Sequence, residues 1–325
     1  MTRKVLEEQL DALARLAEQP PDSWIAPLRA ALRQRNNYLV AKAAAMVERE
    51  RIAILLPDLL AAYDRFFEDA SKSDPQCWAK NALSKALAAL ELQEPEPFLR
   101  GLRHVQMEPV WGGQSDTAAS LRGTCALALV QCRGLSEITL LRYLLDVLVD
   151  ADKVVRCNAV RAIEQVGSHA ASLLLRLRAQ LGSDEAEVLG ACYSGVLRLE
   201  GVAALPWAQH FLAAEDDAAA EAALAMAETH SLEAFIMLKQ QWEKTRDLWF
   251  GSVLLSAIAL TRQHEATEFL MGLVRSDARG SGMALETLLR AMPSEDVVQK
   301  LKALVAGNES LEKIFRENSS ATERR

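Results

Sequence analysis

The chain has 325 residues, half of them hydrophobic and only 6% aromatic, and its 37 basic and 44 acidic side chains leave a net charge of −7. That length exceeds what one hydrophobic core organises, so several domains or an elongated stack are expected. The acidic balance argues against broad nucleic-acid binding, which leans on a basic surface field, and it suits a cytoplasmic protein.

Alanine and leucine dominate, and the fifteen glycines and ten prolines fall mostly between apolar-periodic segments. Such a composition favours helices. No sustained alternation of apolar and polar residues bounded by turn dipeptides occurs, so no strand is predicted. The opening "MTRKVLEEQLDALARL" lacks the apolar centre and cleavage site of a secretory signal. The most continuous apolar run, residues 249–260, is too short to span a bilayer and is expected to be a buried helix. Cys77, Cys125, Cys132, Cys157 and Cys192 are odd in number with no CxxC pair, which points to free thiols and neither a disulfide framework nor a zinc site.

In chain order, helices are predicted over 3–18 and 24–34, split by "EQPPDS", and these form an N-terminal cap over residues 1–35. Further helices follow at 37–49, 52–70, 75–91, 96–105, 117–131, 136–149, 153–166, 169–181, 184–199, 202–213, 217–229, 231–244, 247–261, 264–275, 281–291, 295–306 and 309–317. Ser136 stands where a helix N-cap belongs, and Asp216 and Asp217 suit the N-terminus of a helix, with an acidic contact surface over 213–223 as the alternative. The tail from 307 ends in the polar "NSSATERR", expected to fray.

The stretch "DADKVVRCNAVRAIEQVG", residues 150–167, carries the organising pattern. Val155, Ala159, Ala162 and Ile163 share one helical face, and the preceding amphipathic helix makes a hairpin with it. One hairpin cannot bury both apolar sides, so it must stack on copies of itself. An acid followed six residues later by a base recurs as Asp74–Lys80, Asp116–Arg122 and Asp150–Arg156, with a looser form in Asn36, Asn37 and Lys42. Taking Ala79, Leu121, Val155, Val188 and Phe250 as equivalent, the steps are 42, 34, 33 and 62 residues, the last spanning two units. An array of about eight repeats over residues 36–306 follows.

Val155, Arg156, Ala159, Ala162, Ile163 and Gly167 resemble the HEAT-repeat superfamily, in particular the shorter HEAT-like units of phycobilin lyases. The resemblance covers roughly 36–306 and is strongest at 116–167. It implies an all-α fold, an α-solenoid of stacked antiparallel helix pairs wound as a right-handed superhelix. Residues 98–123 also resemble a group of bacterial HEAT-repeat proteins for which the resemblance implies no activity.

Two readings of the acid–base offset stand side by side. In one, Asp74, Lys80, Asp116, Arg122, Asp150 and Arg156 form a structural ladder of hydrogen bonds between turns. In the other, Lys42, Lys80, Lys85, Arg122, Arg156, Arg161 and Arg198 line a basic concave stripe. The HEAT-like DNA glycosylases that the resemblance brings in grip DNA on such a face. The acids beside these cations and the acidic chain count against nucleic acid.

The segment "RHVQMEPVWGGQSD", residues 103–116, breaks the period with Pro109, Trp111 and a glycine pair. Departures from a scaffold's spacing are where binding groups gather. His104, Gln106 and Glu108 supply polar handles there and Trp111 an apolar surface. The loop is either a partner contact or a packing plug in which Trp111 covers a helix end. The other tryptophans, Trp24, Trp78, Trp207, Trp242 and Trp249, sit within helical periodicity and are expected mostly in the core or in packing between repeats.

No HExxH spacing, phosphate-binding glycine loop or nucleophile elbow occurs. A lone His264–Glu265 pair cannot build the di-iron centre of deoxyhypusine hydroxylases, another HEAT-like class. Cys125, Cys157 and Cys192 are expected as core residues. No catalytic group, metal or cofactor is predicted. The expectation is a non-enzymatic scaffold that binds an acidic or mixed protein or peptide through the 104–116 loop with Lys80, Arg122, Arg156 and Arg161. A phycobilin-lyase-like enzyme or chaperone and a DNA-binding repeat protein are the competing classes.

Overall fold

The computed structural model of the chain describes residues 3–16, 18–20, 23–276, 280–291 and 295–322. The described residues are all-α in character, with a single two-stranded hairpin. The chain divides into two compact units, Met1–Val166 and Gly167–Arg325.

The first unit runs α1 (Arg3–Leu16), α2 (Ile25–Leu32), α3 (Asn37–Glu50), α4 (Leu56–Arg65), α5 (Ala70–Ser73), α6 (Trp78–Ala89) and α7 (Glu96–Leu102). Strands β1 (Met107–Val110) and β2 (Gly113–Asp116) follow, then α8 (Ala119–Leu129), α9 (Glu137–Leu148) and α10 (Lys153–Val166). Helix α3 packs on α6, α6 on α8 and α8 on α10, while α2, α4, α7 and α9 pack on α3, α6, α8 and α10 respectively. Caps set the helix starts: Asn36 accepts from Leu39 N at 2.9 Å, and Ser136 from Thr139 N at 3.3 Å.

The second unit contains α11 (His169–Leu181), α12 (Ala186–Glu200), α13 (Leu205–Gln209), α14 (Asp217–Ala227), α15 (Leu232–Lys244) and α16 (Leu248–Leu260). Helices α17 (His264–Arg275), α18 (Ser281–Arg290), α19 (Glu295–Val305) and α20 (Glu309–Thr322) complete it. Packing repeats the scheme: α12, α14, α16, α18 and α20 lie each on the next, and α11, α13, α15, α17 and α19 back them in turn. Asp216 caps α14 by accepting from Ala219 N at 2.9 Å.

The core follows the repeat. Ala79, Leu121, Val155, Val188 and Phe250 are all fully buried, and Ala219, midway through the 62-residue step, is buried as well. Small residues set helix spacing where close approach is needed. At Gly101 of α7 a Cβ would clash with both the Cys125 Sγ and the Tyr63 hydroxyl.

Several expectations need correction. The break in the period is a β-hairpin, although no strand was predicted; its four-residue strands are too short to show alternation. The helix expected over 52–70 is a 3₁₀ turn at Ala53–Leu55, then α4, then α5 after Asp69, whose φ of 47 ends helical geometry. The stretch 202–213 is likewise split into 3₁₀ segments around α13, where Pro206 removes a backbone donor. Trp78 and Trp249 are about half exposed and so outside the core, although Trp78 packs on Tyr38 of the neighbouring helix α3 with ring centroids 5.4 Å apart; Trp24 is buried and donates to Gln19 O at 3.0 Å. Helix α20 continues to Thr322, further than the expected end at 317. Pro21 and Asp22 of the predicted break, and residues 323–325 of the predicted tail, lie outside the described residues.

The segment Ala186–Ala214 is long and apolar enough to cross a membrane by length and composition. More than half of its most apolar stretch is buried inside the protein, and Gly201, with a φ of 65, interrupts it. Val188, Cys192 and Val196 of this segment are fully buried.

Candidate functional site

The acid–base pairs of the first unit form one connected polar network. Asp74 precedes α6 and folds back over its start, accepting from Ala79 N and Lys80 N, both at 2.9 Å. The Lys80 ammonium lies 3.1 Å from the same carboxylate, and both side chains are fully buried. Its remaining reach goes to Phe66 O at 3.2 Å. Asn37 of α3 donates to Asp74 at 3.0 Å. Between Asp74 and α6, Gln76 and Cys77 adopt left-handed φ values of 60 and 52, which residues bearing a Cβ rarely take.

That turn is held by the hairpin. The Glu108 carboxylate accepts from Gln76 N at 2.8 and 3.0 Å, and the Gln106 side chain donates to Asp74 O at 2.9 Å and also meets Glu108. Gln106, just before β1, and Glu108 within it are two residues apart, and both side chains reach the 74–77 turn. Burial alone would push the Glu108 carboxyl up, but the donors from Gln106, Gln76 and Thr117 and the charge on Lys80 hold it below its ordinary value. His104 is lowered by burial, and its ring meets Gln106 at 3.1 Å.

At the other foot of the hairpin, Asp116 accepts from Gln106 N and Ala118 N, both at 3.0 Å, and pairs with Arg122 at 2.6 Å. Arg122 also donates to His104 O at 3.0 Å and grips Asp150 at 2.8 and 3.0 Å. Burial opposes the charge on Arg122, yet Asp150 and Asp116 raise its pKa above the ordinary value. The same exchange lowers Asp116: burial pushes it up, and two backbone donors and Arg122 pull it further down. Arg156 donates to the carbonyls of Asp150 and Ala151 at 2.7 and 2.8 Å. Polar contacts therefore run unbroken from Asn37 to Arg156.

This geometry corrects the predicted contact set. Lys80, Arg122 and Arg156 are buried and committed to internal acids and carbonyls, so they present no charge to a partner. Gln106 and Glu108 are buried braces of the 74–77 turn, and His104 is half-buried against the Phe67 ring at 5.0 Å. Arg161 stays exposed, and it donates to Asn158 at 3.4 Å. Lys42 reaches neither Asn36 nor Asn37 but lies over the Tyr38 ring at 5.2 Å.

Trp111 has the opposite fate. The pairing of Val110 with Gly113 leaves Trp111 and Gly112 as a two-residue turn, and Gly112 takes the φ of 87 that the third residue of a type II turn demands. Trp111 stands at the tip with its whole side chain in solvent, 104% exposed. It covers no helix end, so the packing-plug reading fails. Val110, Met107 and Val105 are each about half exposed along the same hairpin.

Cys77 and Cys125 are poor nucleophiles, and Cys157 is only part-buried, short of the core role expected for it. Burial pushes the Cys77 thiol up to about 11 and Cys125 up to about 12. Among the described residues no group of three or more His, Cys, Asp or Glu side chains gathers as a metal would need. The sequence reading missed a second network, in the other unit. There Arg176 of α11 pairs with Glu200 at the end of α12, donating from Nε at 2.8 Å, and stacks over Trp207 at 4.6 Å. Ser172, four residues before Arg176 on the same helix face, meets the same carboxylate. That i, i+4 spacing was the available signal.

Compared with known proteins, the chain matches no protein-family model and no curated protein. Among solved structures it is similar to the crystal structure of an engineered protein, at 14% identity and a TM-score of 0.31 over 96% of this chain and 93% of that one. So slight a likeness carries no argument about fold or function.

Proposed function

We propose that the chain is a non-enzymatic scaffold that binds a protein partner, with Trp111 as the anchor of one contact surface. The helix pairs of residues 36–306 form, on this reading, a HEAT-like α-solenoid capped by residues 1–35, and the hairpin is a presentation device built into it. The observation that carries the reading is the contrast along ten residues: the base of the hairpin is fixed by buried charge-assisted bonds, while its tip holds a wholly exposed tryptophan. A Trp ring can bury roughly 200 Å² on association, on the order of 5 kcal/mol of apolar transfer before binding costs. A braced hairpin loses little further freedom when it docks, which is where preorganised anchors gain affinity.

Affinity purification from native extract, wild type beside Trp111→Ala, tests this. The reading expects a specific protein recovered with the wild type and lost with the variant. Equal recovery by both would refute the anchor. Small-angle scattering of an elongated particle supports the solenoid, and a compact sphere would contradict it.

A further inference from the structure

The two strands of the hairpin have open outer edges. Thr117 N donates to Gln106 O at 2.9 Å, which extends the register of Met107 with Asp116 by one pair. Bonded and unbonded pairs alternate along an antiparallel ladder, so the bonded pairs are Gln106–Thr117, Glu108–Ser115 and Val110–Gly113. Met107, Pro109, Gln114 and Asp116 therefore turn their backbone groups outward. Among the described residues none of them makes a backbone–backbone hydrogen bond outside the hairpin. The two edges are not equivalent. On β1, Pro109 lacks the N–H that would face out, which blunts that edge against a further strand. On β2, Gly113, Gln114 and Ser115 are exposed and include neither a proline nor a charge, so that edge is unguarded.

The surface around the β2 edge is apolar and free of charge. Val105, Met107 and Val110 are each about half exposed, and Trp111 wholly so. Glu108, the one ionisable residue between positions 105 and 115, is buried against the 74–77 turn. An uncharged edge selects an uncharged strand, and the same edge on another molecule satisfies it. With a twofold axis beside Ser115, Gln114 of each copy stands opposite Asp116 of the other, and each such pair exchanges its N–H and C=O groups. The two Ser115 side chains then face each other, small enough for the closer spacing of an unbonded pair. Asp116 brings no free charge to the contact, because Arg122 already holds its carboxylate. In this register Trp111 of each copy reaches the foot of the other hairpin. Its ring and the three half-exposed side chains offer on the order of 500 Å² per copy, the size of a weak, reversible interface.

We infer that the chain forms a twofold homodimer in which the β2 edges of two copies pair into one continuous antiparallel sheet, with a Trp111 ring clamping each end. The inference rests on the reading of Trp111 as a docking anchor and identifies a second copy of this chain as what it docks on. The net charge of −7 opposes association at long range, but that field is screened beyond about 8 Å at physiological salt. The hairpin surface itself adds no repulsion. The dimer therefore tightens as salt rises, the reverse of an ionic interface.

Sedimentation velocity of the full chain from about 1 to about 200 µM tests it, the range in which an interface of this size dissociates. Wild type should pass from monomer to dimer, and Trp111→Ala should weaken the dimer by about tenfold or more. Gln114→Pro removes the outward N–H, as Pro109 does on β1, and should weaken the dimer to the same degree. Gln114→Thr keeps that N–H and should dimerise as wild type does. Hydrogen exchange on the unaltered chain reads the same edge without a variant. The Gln114 amide should slow as the dimer fills, while the Glu108 amide, bonded within each hairpin, stays unchanged. A monomer at every concentration overturns the inference, and Trp111-dependent recovery of a different protein from extract then leaves the scaffold reading standing. A dimer that Gln114→Pro leaves intact, or whose Gln114 amide exchanges as fast as in the monomer, overturns the edge pairing. A Trp111-dependent dimer with no other protein recovered supports the inference and removes the scaffold reading.

Discussion

Arg122 reaches across 28 residues to grip Asp150 through two hydrogen bonds, at 2.8 and 3.0 Å, while its third nitrogen holds Asp116. One buried guanidinium thus ties the foot of the hairpin, the start of α8 and the turn before α10. Removing one partner of such a cluster leaves carboxylates desolvated and unpaired. Arg122→Ala is expected to cost about 3–5 kcal/mol in chemical denaturation of the chain. A loss below about 1 kcal/mol would show the cluster to be solvated.

The brace at the other foot makes a finer prediction. Glu108→Ala removes the acceptor of the Gln76 N–H, in a turn whose left-handed backbone depends on it. A loss of about 1–3 kcal/mol is expected, from an unsatisfied donor and a strained turn. Hydrogen exchange should speed up at Gln76 and at the Gln106 amide without a matching change in α9. Unchanged protection at Gln76 would contradict the brace.

Close packing at Gly101 gives a third test. An added methyl would clash with the Tyr63 hydroxyl and the Cys125 sulfur, and both of those side chains are fully buried. Gly101→Ala should destabilise by about 1–3 kcal/mol even though alanine is the better helix former. A stabilised variant would mean that α7 sits further from α4 and α8.

Acid stability should carry the signature of Glu200. Its hydrogen bonds with Arg176, set against burial and helped by Ser172, hold the carboxyl down at about 2, against an ordinary 4.5. A lowered carboxyl pKa stabilises the fold above the unfolded value, and that contribution disappears as pH falls through the folded one. Stability is therefore lost between about pH 4.5 and 2, and Glu200→Gln should flatten the profile in that window. A profile identical to wild type there would deny the pairing.

The legible part of the fold was its helical periodicity. The helices at 153–166, 169–181 and 264–275 coincide with the predicted limits, because caps and apolar spacing are local properties of the chain. The six-residue offset was legible as a pattern, yet its depth was not: that Lys80 and Asp74 are wholly buried depends on Phe66 and on a hairpin 30 residues away. For the same reason Gln106 and Glu108 read as exposed handles. Nothing within residues 103–116 reveals that the Asp74 turn lies opposite. The hairpin itself escaped because Trp-Gly is not a strong strand-reversal signal, whereas Gly112 proves its worth only once its φ is known.

The division between a structural base and a free tip is tested most directly by two thermal midpoints. Trp111→Ala should melt within about 2 °C of wild type, as exposed substitutions do, whereas Arg122→Ala should fall by roughly 10 °C. A Trp111→Ala midpoint lowered as far as that of Arg122→Ala would show the ring to be part of the core and would contradict the anchor role proposed for it.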